Sequence, residues 1–192
     1  VDEQGEALVG VEAHGNISEM KRSEWDKAVV IALGSNLKGA FGTTRELLEA
    51  ALARFADEGL VVRERSSWWH SAAWPDPDEP PFVNGVVLVE TDLDPHETLA
   101  ALHRIERGFG RDRSRRNAPR TLDLDLIAHG RGVFEEGGLI VPHPRAAERL
   151  FVMGPLAEIA PTWRHPVTGE RADRLAERCQ VGLDARPLAS AR

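Results

Sequence analysis

The sequence predicts an α+β fold: an antiparallel sheet carrying helices, in the order β-α-β-β-α-β, with a C-terminal extension. Three observations predict it. Short apolar runs of strand type alternate with segments of helical period in that order. Two polar clusters with the chemistry of helix starts stand where the order needs helices. Strong turn signals, among them four prolines within residues 72–81, separate the remaining elements.

Residues 28–33, AVVIAL, read as a buried strand, and Gly34-Ser35-Asn36 turns the chain. Thr43-Thr44-Arg45-Glu46 reads as a capping box that opens a helix. On that helix Leu47, Leu48, Ala51, Leu52 and Phe55 share one arc, and Gly59 ends it. Residues 60–71 read as one second strand. The proline-rich segment 72–81 excludes regular structure and reads as an adaptable surface loop. Residues 82–91 form a third strand, and Asp94-Pro95-His96-Glu97 caps a second helix that runs to about Phe109. An arginine-rich loop, 111–119, leads into a fourth strand, 120–129. A short extended piece at 139–141, a helix at 151–159 and a helix from about Arg171 make up the extension. The β-α-β-β-α-β order is the ferredoxin-like arrangement, with its helices on one face of the sheet.

Residues 1–26 are polar, carry no sustained period and are expected to be a tail, leaving 27–192 as a single domain. No apolar run approaches the ~20 residues a membrane helix needs, so no membrane partner is expected. The single cysteine, Cys179, has no disulfide partner, and a reducing cytoplasm fits it best. A net charge of −7 argues against coating nucleic acid. The charge is uneven, however. Between positions 104 and 120 seven arginines stand against Glu106 and Asp112. A local basic segment on an acidic chain suits a compact anion better than a long polyanion.

The stretch Thr121-Leu122-Asp123-Leu124-Asp125-Leu126 follows directly. Side chains on a strand alternate between faces, so the leucines share one face and Asp123 and Asp125 the other. Neighbouring like charges cost free energy unless something neutralises them, and a hard divalent cation with oxygen ligands does so. An isolated D-x-D is most simply the solvated face of an amphipathic strand. The adjoining arginines shift the reading towards Mg²⁺ and phosphate, because guanidinium groups match phosphate oxygens in bidentate geometry. No Walker A sequence is present, so the site is not a P-loop. Glu106 projects within the apolar arc of the second helix, where a carboxylate needs either solvent at the rim, an arginine or a function. His143, between two prolines, is a structural or a phosphate-contacting residue. Phe82, Trp74, Trp69 and Phe151 suit the core or a flat heterocycle. Asn84 presents an amide donor and acceptor to a ring edge. Cys179 takes no role. A nucleotidyl transferase or cyclase on a similar sheet, and an RNA-binding module, are the competing readings. The aspartate pair on the fourth strand would repel RNA.

Taken together, ALGSN (32–36), FVN (82–84), RIE (104–106), APRTLDLDLI (118–127) and VPHP (141–144) resemble, in order, the 6-hydroxymethyl-7,8-dihydropterin pyrophosphokinase family of folate biosynthesis. The resemblance covers roughly residues 28–161. It implies the same β-α-β-β-α-β core and the transfer of pyrophosphate from ATP to the hydroxymethyl group of a reduced pterin, leaving AMP. It implies that Asp123 and Asp125 hold two Mg²⁺ ions and that Arg111 and Arg120 act in catalysis. It places Leu99, His103, Glu106, Arg111, Arg120, Leu126, His143 and Arg149 on the ATP side. Ser71, Trp74, Phe82, Asn84 and Phe151 fall on the pterin side. The implied partners are these two small molecules, met by a monomer. The sequence departs from the family pattern at Asn117, where many members carry tryptophan, at Phe82 for tyrosine, and at Gly138 and Ile140 for polar residues.

Overall fold

The computed structural model describes residue 25 and residues 27–73, 78–110 and 121–189. Its elements run β1 (Val29–Ser35), α1 (Thr44–Ala53), β2 (Val61–Arg65), β3 (Trp69–Ser71), β4 (Phe82–Glu90), α2 (Pro95–Gly108), β5 (Asp123–His129), β6 (Phe134–Glu136), β7 (Leu139–Val141), α3 (Leu150–Ile159), α4 (Ala172–Arg178) and β8 (Arg186–Pro187). The main sheet is ordered β5-β1-β4-β3-β8, with β2 also paired to β4, and every pairing in it is antiparallel. Counting the β2/β3 region as the second strand, the order is fourth-first-third-second, as a ferredoxin-like core requires.

The helix starts carry the expected chemistry. Asp94 accepts from Glu97 N at 2.8 Å while the Glu97 carboxylate accepts from Asp94 N at 3.0 Å, a complete capping box with Pro95 in the first turn. At α1 the box is only half formed. Thr43 Oγ1 accepts from Glu46 N, but the Glu46 carboxylate reaches one residue further back, to Gly42 N.

Two helical layers cover the sheet: the two core helices lie on one face, as expected, and the extension covers the other. Val29, Ile31, Leu33, Leu122, Leu124 and Leu126 face α1 and α2 in a first core. Val30, Ala32, Val86, Leu88, Ile127 and Ala128 face α3 and α4 in a second. The extension thus buries the sheet's other side. Helix α3 holds Pro155 in its interior and is buried from Val152 to Leu156; burial against the sheet overrides the local helix-breaking tendency.

The second strand divides in two. Ser66 Oγ accepts from Val86 N at 3.0 Å, and Trp68 turns its ring onto Gly85, where a Cβ would lie 2.7 Å from the indole. Between β2 and β3 the Ser66 hydroxyl therefore takes the Val86 N–H of β4, while Ser66 N still donates to Val86 O at 3.0 Å. Trp68 Nε1 and the Arg65 guanidinium both donate to Glu49, Arg65 in two bonds of 2.6 Å, and this ties α1 to β2. A hairpin, β6 with β7, adds a strand that periodicity does not reveal. Of the expected tail, only Trp25 is described. It packs against the second core, and Ala28 N donates to its carbonyl.

Candidate active site

Strand β5 ends the main sheet path, and the site is built around it. Leu122, Leu124 and Leu126 are at most 4% exposed in the first core, so Asp123 and Asp125 project from the opposite face, as the alternation predicts. Across the sheet Asp125 pairs with Ala32, and Asp123 pairs with Gly34, which pairs in turn with Asn84. Cross-strand partners share a face, so Asp123 and Asn84 flank a position with no side chain. A Cβ at 34 would approach Asn84 Oδ1 to 3.2 Å and the Phe82 ring to 3.8 Å. Gly34 keeps open the corridor between the carboxylates and the amide.

Asn84 is buried and donates from Nδ2 to Ser71 Oγ at 3.0 Å; Ser71 itself pairs with Phe82 across β3 and β4. One amide hydrogen and the carbonyl oxygen of Asn84 are thereby oriented for a ring edge. Three residues of the expected pterin side, Ser71, Phe82 and Asn84, therefore form one cluster. Phe151 stands in the first turn of α3, packed against the second core and beside Arg149. Trp69 does not join the cluster: its ring packs on Gly154 and its Nε1 donates to Glu158 at 2.9 Å, so it braces β3 against α3. Trp74 lies outside the described residues.

Arg149 and the His143 imidazole gather at the carboxylates, with Arg145 beside them. Arg149, at the N-terminus of α3, is held below the usual guanidinium range by burial and then by Arg145, while Asp125 and Asp123 oppose that shift. Its Cζ stands 5.7 Å from the centre of the Phe151 ring. Burial, then Arg149 and Arg145, push the His143 imidazole below its ordinary value. His143 Nδ1 accepts from Arg145 N at 3.2 Å, which leaves the proton of the neutral ring on Nε2. Its own N–H donates to Ile127 O on β5.

A depressed imidazole favours folding above the unfolded value of 6.5, and that contribution is lost as pH falls towards the folded value. Arg149→Ala is expected to move the His143 titration upward, because it removes a positive neighbour. NMR of the ring protons measures this, and an unmoved midpoint would show that the two groups do not interact.

Glu106 is not a rim residue: its exposure is 0%, and its Oε1 accepts from Leu124 N at 2.9 Å. It fixes the backbone between the two aspartates. Leu126 is a core side chain, and Leu99 packs half-buried against the same first core. His103 is half-buried on α2. The expected ATP-side residues thus lie on both sides of β5. Arg111 and Arg120 lie outside the described residues, as does Asn117.

Sequence reasoning missed Gly34, Ser35 and Arg145. Ser35 is fully buried and its Oγ contacts both Thr121 O and Leu37 O, tying the β1–α1 turn to the start of β5. The signal is the GSN triplet, which reads as a turn and as part of the ALGSN motif. Among the described residues no group of three or more His, Cys, Asp and Glu gathers to hold a metal. Two carboxylates still fit Mg²⁺, a hard cation that takes its remaining ligands from water and substrate phosphate. A cleft of about 650 Å³ opens elsewhere, between α1 and α2, lined by Phe41, Arg104 and Phe109; it does not include the carboxylates.

The family described as 7,8-dihydro-6-hydroxymethylpterin-pyrophosphokinase matches residues 30–161. The chain is 42% identical over 149 residues to the 2-amino-4-hydroxy-6-hydroxymethyldihydropteridine pyrophosphokinase of Synechocystis sp., covering 77% of this chain and 74% of that one. It is 39% identical over 162 residues to the Pseudomonas aeruginosa protein of the same name, covering 83% and 96%. It also resembles the folate synthesis bifunctional protein of Pisum sativum, 39% identical over 137 residues but spanning only 26% of it. The Plasmodium falciparum HPPK-DHPS wild-type structure superposes with a TM-score of 0.60 at 12% identity, over 78% of this chain and 44% of that one. At that identity the likeness speaks for the fold.

Proposed function

The chain belongs to the 7,8-dihydro-6-hydroxymethylpterin-pyrophosphokinase family, and from that membership we propose how its residues carry the reaction. The activity is that of a pyrophosphokinase in folate biosynthesis, with ATP as co-substrate and the hydroxymethyl group of the reduced pterin as acceptor. The observation that carries the reading of the site is the alignment of Asp125, Asp123, the Gly34 gap and Asn84 across one face of the sheet. It sets an anion-and-metal end beside a ring-reading end.

In this reading Asp123 and Asp125 hold Mg²⁺, two ions by family resemblance. Bound there, the metal would neutralise phosphate oxygens and withdraw electron density from the phosphorus under attack. Arg149 adds a fixed positive charge beside the pair. His143, with its proton on Nε2, donates a hydrogen bond to a phosphate oxygen. Arg111 and Arg120 complete the clamp, on the strength of the family motif. Asn84 reads the pterin edge, Phe82 and Phe151 cover its faces, Ser71 orients the Asn84 amide, and Trp74 belongs to the same side by resemblance. Leu99, His103, Glu106 and Leu126 belong to the nucleotide side. Of these, Glu106 acts through the β5 backbone. With the hydroxymethyl oxygen held in line with the β-phosphorus of ATP, most of the rate comes from positioning and charge stabilisation. A monomer is what the family resemblance implies.

The bond broken tests the reading. Enzyme, Mg²⁺, ATP and 6-hydroxymethyl-7,8-dihydropterin should yield AMP in step with pterin diphosphate on nucleotide chromatography. ADP as the main product would overturn it.

A further inference from the structure

The last described stretch of the chain has no part in the scheme above, yet it touches both walls of the pterin side. Gln180 N and Val181 N donate to Glu148 O at 3.0 Å, and Leu150 N donates back to Val181 O at 2.9 Å. The stretch thereby forms a parallel bridge at Arg149, stitched to the backbone that carries Arg149 and Phe151. Gly182 follows with φ +69°, and a Cβ there would overlap the Phe151 ring. Only glycine meets both conditions without strain.

The chain then crosses to the other wall. Ala185 N closes a turn on Gly182 O at 2.9 Å, and the Asp184 carboxylate accepts from Ala72 N, next to Ser71. Arg186 and Pro187 add a short strand to His70 and Trp69, and Leu188 N donates to Trp68 O at 2.7 Å. Asp184 is exposed, so water would satisfy it equally well. The consequence of its bond lies at Ala72, where β3 gives way to the proline-rich segment. Simple packing of a surface segment would not need contacts at Phe151 and at the residue after Ser71 within one turn.

We propose that residues 180–188 form a strap that sets the width of the pterin slot, with Gly182 seating Phe151 and Asp184 holding Ala72. Both are positioning residues, and the proposal rests on the assignment of Ser71, Phe82, Asn84 and Phe151 to the pterin side. Gly182→Ala and Asp184→Ala are each expected to raise the pterin KM about tenfold. The ATP KM and kcat should stay within about twofold. Asp184→Asn keeps an acceptor oxygen for Ala72 N and should stay near wild type.

Steady-state kinetics with pterin and ATP varied separately, pterin titration with a non-hydrolysable ATP analogue, and melting temperature form the test. The strap is overturned if the pterin KM is unchanged in both variants, or if ATP and pterin KM rise together with a fall in Tm. It is also overturned if Asp184→Asn is as impaired as Asp184→Ala. Phe82→Ala and Asn84→Ala serve as controls. If they too leave the pterin KM unchanged, the pterin-side assignment fails, and the strap with it. If they raise it and the strap variants do not, only the strap fails.

Discussion

Asp123→Asn and Asp125→Asn are each expected to lower Mg²⁺-dependent turnover by about 10³-fold or more, some 4 kcal/mol of transition-state stabilisation. Neither residue contributes to the apolar cores, and each is only partly exposed on the face opposite Leu122, Leu124 and Leu126. Removing one of two neighbouring negative charges relieves repulsion in the metal-free protein. That relief offsets the lost attraction to Arg149, so the melting temperature without Mg²⁺ should stay near that of wild type, whereas the stabilisation that Mg²⁺ and nucleotide give wild type should shrink. Thermal melts with and without Mg²⁺ and an ATP analogue, alongside turnover, separate the two effects. Near-normal turnover in both variants would remove the metal assignment.

The aspartate pair was legible because a strand's period of two forces the assignment of faces, and three leucines left no choice of which face was core. The helix starts were legible for a similar reason: Asp94 and Glu97 satisfy each other locally, whatever the rest of the chain does. What the sequence concealed was set by distant partners. The break between β2 and β3 depends on Ser66 bonding to Val86 and on Trp68 finding Gly85, twenty and seventeen positions away. Nothing in residues 60–71 alone interrupts a strand. The second helical layer was legible as helices but not as a layer, because α3 is apolar on nearly every side and so names no single face. The C-terminal strap had only Gly182 as a local signal. Its pairing with β3 is a long-range choice. In the site, Gly34 and Ser35 were visible as a turn. The role of Gly34 as a gap appears only once Asn84 and Asp123 stand on either side of it.

Glu106→Ala is expected to cost about 2–4 kcal/mol of stability and to lower turnover, although the carboxylate is fully buried. Two losses combine. The helix α2 loses side-chain volume from its buried arc beside Leu102 and Ile105. Leu124 N loses the acceptor that now holds it at 2.9 Å. A buried N–H without an acceptor costs more than a bond merely exchanged with water. Because Leu124 sits between Asp123 and Asp125, any shift that lets water reach its N–H also changes the spacing of the two carboxylates. Glu106→Gln separates these causes. It preserves volume and keeps an amide oxygen for Leu124 N, so its melting temperature should lie much nearer wild type than that of the alanine variant. If geometry at β5 is the whole contribution of Glu106, turnover should recover along with stability. A glutamine variant that is stable yet as inactive as alanine would show that the charge of Glu106 acts on the nucleotide or metal directly. A stable and active alanine variant would show that β5 holds its aspartates without help from α2. Denaturant melts at matched pH, with kcat and the Mg²⁺ dependence measured on the same preparations, distinguish the three results.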